Sequence, residues 1–162
     1  ETVTTPENVF GKRPTRTARS LNLINGRQNP KNACEWEALS PTAKRSNMAS
    51  ADHLPVKIDC LLSCGADCAV DAATCRAAYA AYTRLDAAQK DMCRRLEHER
   101  WMRNLYLENW QYDGERNNAL RRHPLLCPYD ELSEADKAKD DNSWTLLGAL
   151  AELIESGEGE NG

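Results

Sequence analysis

The sequence predicts a mainly α-helical fold, a compact helical domain with a short β-hairpin or extended loop after its longest helix. Three observations predict it. Apolar residues recur at helical spacing through most of the chain. Ser40-Pro41, Asp71 and Asp86 stand where helices would need a cap. A single irregular, aromatic-rich stretch, from Trp110 to Pro128, interrupts the pattern. With 162 residues, 41% of them hydrophobic and 28% charged, the chain suits one core rather than two.

Residues 1–17 are rich in Thr, Pro, Lys and Arg and read as a flexible lead-in. ARSLNLIN, from Ala18, predicts a short helix stopped by Gly26. Beyond Trp36 and Leu39, Ser40 caps a helix with Pro41 at its first position, where the missing N–H costs nothing. Pro55 should split that helix near Asp52 to Leu54, and Gly65 should end its second half. Asp71 caps the Ala-rich segment that carries Tyr79 and Tyr82. Asp86 opens the longest helix, AAQKDMCRRLEHERWMRNLYLENW, with Met92, Leu96, Met102, Leu105 and Leu107 at helical intervals. QYDGERNN then signals a turn centred on Asp113-Gly114 that joins two short extended segments. Pro124 and Pro128 exclude a helix between them, Ser133 opens a charged stretch, and WTLLGALAELI predicts the final helix or helix pair. Residues 18–155 are thus expected as one domain, followed by a disordered tail over 156–162.

The net charge of −4 disfavours general binding to a nucleic acid polymer, which neutralises many phosphates at once. No apolar run approaches the roughly 20 residues that cross a bilayer, and the first residues lack a signal-peptide centre, so a cytoplasmic protein without membrane insertion is expected. The chain opens on Glu1 rather than Met, which fits a fragment or a processed chain. Seven Cys without a secretory signal are expected mostly as reduced thiols. Cys60, Cys64, Cys68 and Cys75 form a cluster, but four-residue spacing suits small residues on a helix better than the Cys-x-x-Cys pairs of zinc sites, and no metal or cofactor is expected.

LEHERWMRNLYLENWQYDGERNNALRRHP, from Leu96 to Pro124, gathers Trp, Tyr, His and Arg in one window of an acidic chain. Glu97, Trp101, Asn104 and Glu108 share one helix face that is too polar for a plain core. Trp101, Trp110 and Tyr112 could form an aromatic wall, and Arg116, Arg121 and His123 an anion cradle. Glu97 and Asn104 would then orient a nucleotide-like ligand. Each has a plainer alternative: a Trp on an amphipathic helix is more often a core anchor, and His123 before Pro124 could fix the turn. Arg94 and Arg95 are expected as solvated charge, with Glu97 and Glu99 as possible helix partners. Catalysis is poorly supported, since the chain has no Gly-rich phosphate loop, no His-Glu-x-x-His and no nucleophile elbow.

HERW at His98 to Trp101, followed by WQYDGERNNALRRHPLLCPYDEL from Trp110, resembles the ryanodine receptor repeat domain (RyR domain) family of prokaryotic type. That family's pattern is His-Glu-x-Trp, Gly-Trp-x-Tyr-Gly, Arg-Asp-Asp, Lys-x-His-Pro and Pro-Tyr/Trp-x-x-Leu, with Trp110, Tyr112, Arg116, His123 and Pro124 here in register. Asn109 and Asp113 stand in place of its glycines, Asn117-Asn118 in place of its acidic pair, and Arg121 in place of its Lys. The upstream WEALSPTAKRSNMASADHLPVKI is similar to the region that precedes the domain in prokaryotic versions, and this brings in Arg45, Asn47 and His53. The resemblance implies a non-catalytic ligand-sensing domain for a nucleotide-derived or other phosphorylated small molecule, a regulatory module of a larger protein linked to a Rossmann-type or channel module. Because the repeats occur in tandem in the channels, a single copy is expected to form a homodimer. The alternative is a structural protein–protein interaction domain without a small-molecule ligand.

Overall fold

A computed structural model of the chain describes residues 12–65 and 68–157. Of the lead-in expected over 1–17, residues 1–11 lie outside the described residues and 12–17 are helical; of the tail expected over 156–162, residues 158–162 lie outside them. The fold is mainly helical, with one short two-stranded parallel sheet. The described residues divide into two compact units, one built from those up to Ala81 together with those from Leu146, the other from Tyr82 to Thr145.

In the first unit, α1 spans Lys12–Gln28, longer at both ends than the expected ARSLNLIN helix. Pro14 is tolerated because it sits in the first turn, where no intrahelical N–H is needed. Gly26 does not stop the helix. It lets the strap that follows come close, since a Cβ there would stand 3.3 Å from the Cβ of Ala33. Helix α2 covers Pro41–Asp52 and α3 covers Leu54–Leu62, split at His53 as Pro55 requires. Ser40 caps α2 by accepting from the Ala43 N–H at 3.2 Å. Ser63, in the left-handed region at φ 53°, closes α3 two residues before Gly65. Helix α4, Ala72–Thr83, begins where Asp71 accepts from the Thr74 N–H at 2.8 Å. The core of this unit holds Leu21, Leu54, Ile58, Cys75, Leu147 and Leu150, all nearly or fully buried.

Most of the seven cysteines are thiols, as expected, but Cys64 and Cys68, beyond α3, form a disulfide. Cys34, Cys60, Cys75, Cys93 and Cys127 are free thiols, and burial pushes the Cys75 thiol up to about 12, so it stays protonated. Among the described residues no cluster of His, Cys, Asp and Glu is arranged to hold a metal ion. Nor is any helix there long and apolar enough to cross a membrane.

In the second unit, α5 spans Ala87–Leu107. Asp86 and Gln89 close a reciprocal capping box at its start, at 2.8 and 3.0 Å. The helix ends three residues before the expected Trp110. Asn109 takes φ 60° and the Trp110 N–H bonds back to the Leu105 carbonyl at 3.0 Å, so the chain leaves the axis there. The strands that follow, β1 at Gln111–Tyr112 and β2 at Arg122–His123, pair in parallel and therefore do not make a hairpin. The reversal sits later than Asp113-Gly114. Asn117 and Arg122 exchange backbone bonds of 3.0 and 2.8 Å, the Asn117 side chain accepts from the Leu120 N–H, and Arg121 adopts φ 53°. That tight return re-aims the chain so that β2 runs alongside β1 in the same direction.

After a 310 turn at Tyr129–Glu131, helix α6 spans Glu134–Lys137, capped by Ser133. A second 310 turn, Ala138–Asp141, leads into α7, Asn142–Ser156. Trp144 on α7 is fully buried, stacks on Tyr82 with ring centres 5.9 Å apart, and donates its indole N–H to the Cys93 carbonyl at 3.0 Å. Asp141 accepts from the Tyr82 hydroxyl at 2.7 Å and from two nitrogens of Arg94 at 2.8 and 2.7 Å. Arg95 pairs with Asp130 and lies over the Tyr129 ring. Both arginines therefore tie α5 to later segments, where solvated charge was expected.

Candidate functional site

The side chains of interest in the second unit gather on α5 and on the loop that runs through β1 and β2. The helical repeat puts Glu97, Trp101 and Asn104 on one face of α5. Trp101, half-buried, lies between two imidazoles, 5.6 Å from the His98 ring and 4.9 Å, edge-on, from the His123 ring. Trp110 also lies edge-on to His123, at 6.1 Å. Distances and angles of this kind are the favoured ones for aromatic pairs. The fold thus brings Trp101, His123 and Trp110 into one contiguous cluster, and His98 extends it toward Tyr129 at 6.0 Å.

His123 is buried, with 8% of its surface exposed. Its Nδ1 accepts the Leu125 N–H at 3.1 Å, so the ring is held with its proton on Nε2. Burial lowers its pKa below the ordinary 6.5, and the positive charges of Arg116 and Lys139 lower it further. Near neutral pH it is therefore an uncharged ring, edge-on to Trp101 and Trp110. The sign of the pH effect follows. In the window from its lowered native pKa up to about 6.5, the unfolded chain binds more protons. This group's contribution is fully present above about pH 6.5 and is lost as pH falls through that window. Urea unfolding at pH 7.5, 6.5 and 5.5 should show the loss in the native protein and a flatter profile in His123→Gln. An unchanged profile in that variant would remove His123 as the cause.

Glu97 is 6% exposed and is clasped by Arg100, whose Nε and Nη2 donate at 2.9 and 2.8 Å. Arg100, rather than Arg94 or Arg95, is the partner of this carboxylate. Its Nη1 and the Nε1 of Trp110 are covered and make no hydrogen bond. Asn104 stands half-buried one turn beyond. Tyr112, Arg116 and Arg121 are exposed on the loop. Arg116 donates from Nε to the Asn118 side-chain carbonyl at 2.9 Å, and Arg121 donates to the main-chain carbonyl of Glu108.

Of the upstream candidates, Arg45 on α2 donates to the Thr42 hydroxyl at 3.3 Å and Asn47 to the Ala43 carbonyl at 3.1 Å. His53 stands at the junction of α2 and α3. These three belong to the first unit, and the structure binds Arg45 and Asn47 within their own helix. Sequence reasoning missed Arg100 and His98. The Glu97-to-Arg100 spacing was the available signal for the first, and the HERW motif that His98 opens was the signal for the second.

Residues 83–157 match the family model of the RyR domain. The RyR match starts at the end of α4 and runs through α7, so it takes in Glu97, Trp101, Asn104, Trp110, Tyr112, Arg116, Arg121 and His123 and leaves out Arg45, Asn47 and His53. It covers somewhat under half of the 162 residues. No curated protein and no solved structure matches the chain.

Proposed function

We propose that the RyR-matched segment is a non-catalytic, cytoplasmic sensing module of prokaryotic type that binds a nucleotide-derived or other phosphorylated small molecule and regulates a larger protein. The observation that carries this proposal is the cluster of Trp101, His123 and Trp110 beside an exposed loop with Tyr112, Arg116 and Arg121. Flat rings suit a flat ligand, and guanidinium groups suit phosphate. A thermal-shift series with nucleotides tests the proposal, because a ligand at a hundred times its Kd adds about 2.7 kcal/mol of stability. A nucleotide that raises the midpoint in the native protein and not in Trp101→Ala supports sensing.

A second function has its own observation. Tyr106, Leu107, Tyr112 and Leu120 are all exposed apolar side chains at the end of α5 and in its loop, Leu107 at 86%. Such residues suit a protein partner, including a second copy of the chain. If no nucleotide shifts the midpoint while Leu107→Asp or Leu120→Asp dissolves a dimer seen by sedimentation, the interaction role replaces sensing.

A further inference from the structure

In the first unit the strap from 29 to 39 folds back along α1, with Ala33 against Gly26, Cys34 against Asn22 and Glu37 against Arg19. Between helix and strap lies a groove of about 440 Å3, within the range of roughly 300–1,000 Å3 usual for small-molecule sites. Its walls are pinned. Asn22 donates to the Cys34 carbonyl at 2.8 Å, and Lys44 donates to the Glu37 carbonyl at 3.2 Å. Arg19 pairs with the Glu37 carboxylate at 2.8 Å and lies over the buried Trp36 ring, 5.5 Å from its centre.

Three features of this groove point to a ligand. Ser20 lines it at 6% exposure, and the described residues provide its hydroxyl with no hydrogen-bond partner, a shortfall that a bound polar group would make good. The border carries both signs in balance, Arg19 and Arg27 against Glu35 and Glu37, which suits a zwitterion better than a polyanion. Cys34 stands there as an exposed free thiol, held weakly by the Glu35 carbonyl at 3.6 Å. The other free thiols are worse placed. Cys75 is buried and pushed up to about 12, and Cys93 and Cys127 are half-buried. Cys60 is exposed but does not line the groove, and desolvation and the charge of Asp59 push its thiol up.

We propose that Cys34 is a modification site for a small peptide-like disulfide of the oxidised-glutathione class, whose zwitterionic body lies in the groove beside Ser20 and Trp36. The Cys34 sulfur gives up its proton and attacks one sulfur of the small disulfide. The S–S bond of that molecule breaks, a new S–S bond joins one half to Cys34, and the other half leaves as a thiol carrying the proton. Cys34 is thereby oxidised and the small disulfide reduced, with no other reactant. Attack by a second small thiol reverses the step. The site belongs to the first unit and does not depend on the phosphorylated ligand proposed for the RyR-matched segment.

Timed mass spectrometry of the full chain, with peptide mapping, tests this using two reagents: oxidised glutathione, and bis(2-hydroxyethyl) disulfide, which has the same reactive bond without a charged body. With oxidised glutathione, Cys34 should be modified about tenfold faster than Cys60 or more. With the hydroxyethyl reagent that preference should shrink to about threefold or less, because exposure alone then decides. Ser20→Ala and Leu23→Ala, which change the groove and leave the thiol in place, should each slow the glutathione reaction at Cys34 by about threefold or more. Their hydroxyethyl rates should match that of the native protein, which also shows that the strap is still folded, and either variant suffices if the other does not fold. Absence of glutathione from Cys34 overturns the proposal. So does an equal preference for Cys34 with both reagents, or a glutathione rate that neither variant changes, since accessibility would then explain the labelling without the groove.

Discussion

Trp144→Ala should destabilise the second unit by about 3–5 kcal/mol, the usual cost of emptying a large aromatic site in a core. Trp144 is fully buried, and its loss leaves Tyr82 without the ring stacked on it and the Cys93 carbonyl without its indole donor. The surroundings have little room to collapse into the gap, because Tyr82 and Arg94 are both pinned to Asp141. Trp144→Phe separates the contributions, since it keeps most of the ring and removes the hydrogen bond. A loss of about 1–2 kcal/mol is expected for that variant. Urea unfolding followed by the fluorescence of the remaining tryptophans measures both. A cost below about 1 kcal/mol for the alanine variant would mean that this ring is not the anchor of the unit.

What could be seen in the sequence was local. Ser40, Asp71 and Asp86 cap helices because each needs only an N–H three residues ahead, a condition written into neighbouring positions. Pro55 splits α2 from α3 for an equally local reason. The motif from Trp110 to Pro124 correctly marked an irregular segment after a long helix. Its internal geometry was another matter. Asp113-Gly114 looks like a hairpin turn, yet Asn117 and Arg122 close the loop instead, and no adjacent residue announces a parallel pairing.

Charge was the least legible. Arg94 and Arg95 stand near Glu97 and Glu99 in the chain, and a helical wheel invites those pairings. The actual partners of the two arginines are Asp141, 47 residues away, and Asp130, 35 residues away. A bidentate carboxylate brought by tertiary folding outcompetes a flexible neighbour on the same helix, where pairs are worth tenths of a kcal/mol. The aromatic cluster lay between these extremes. Trp101 and Trp110 were recognisable as a pair, but His123 was grouped with Arg116 and Arg121, because its ionisation depends on the Leu125 N–H and on burial, and spacing shows neither.

Glu97→Ala should cost about 3 kcal/mol or more, for a reason unrelated to any ligand. The Glu97 and Arg100 side chains are 8% and 11% exposed, so the pair sits in a medium where an unpaired charge is expensive. Removing the carboxylate strands a guanidinium that already has one nitrogen, Nη1, without a partner. The double variant Glu97→Ala with Arg100→Leu should recover much of that loss, because breaking a buried pair is usually far worse than replacing both members with apolar groups. Chemical denaturation of the two single variants and the double gives the coupling directly. Should the two losses simply add, the salt bridge is not what holds this turn of α5, and Glu97 becomes available to a ligand as the sequence first suggested. Strong coupling would instead make Glu97 a residue that positions α5 beneath Trp101, and the orientation of a bound ring would then fall to Asn104 and Tyr112.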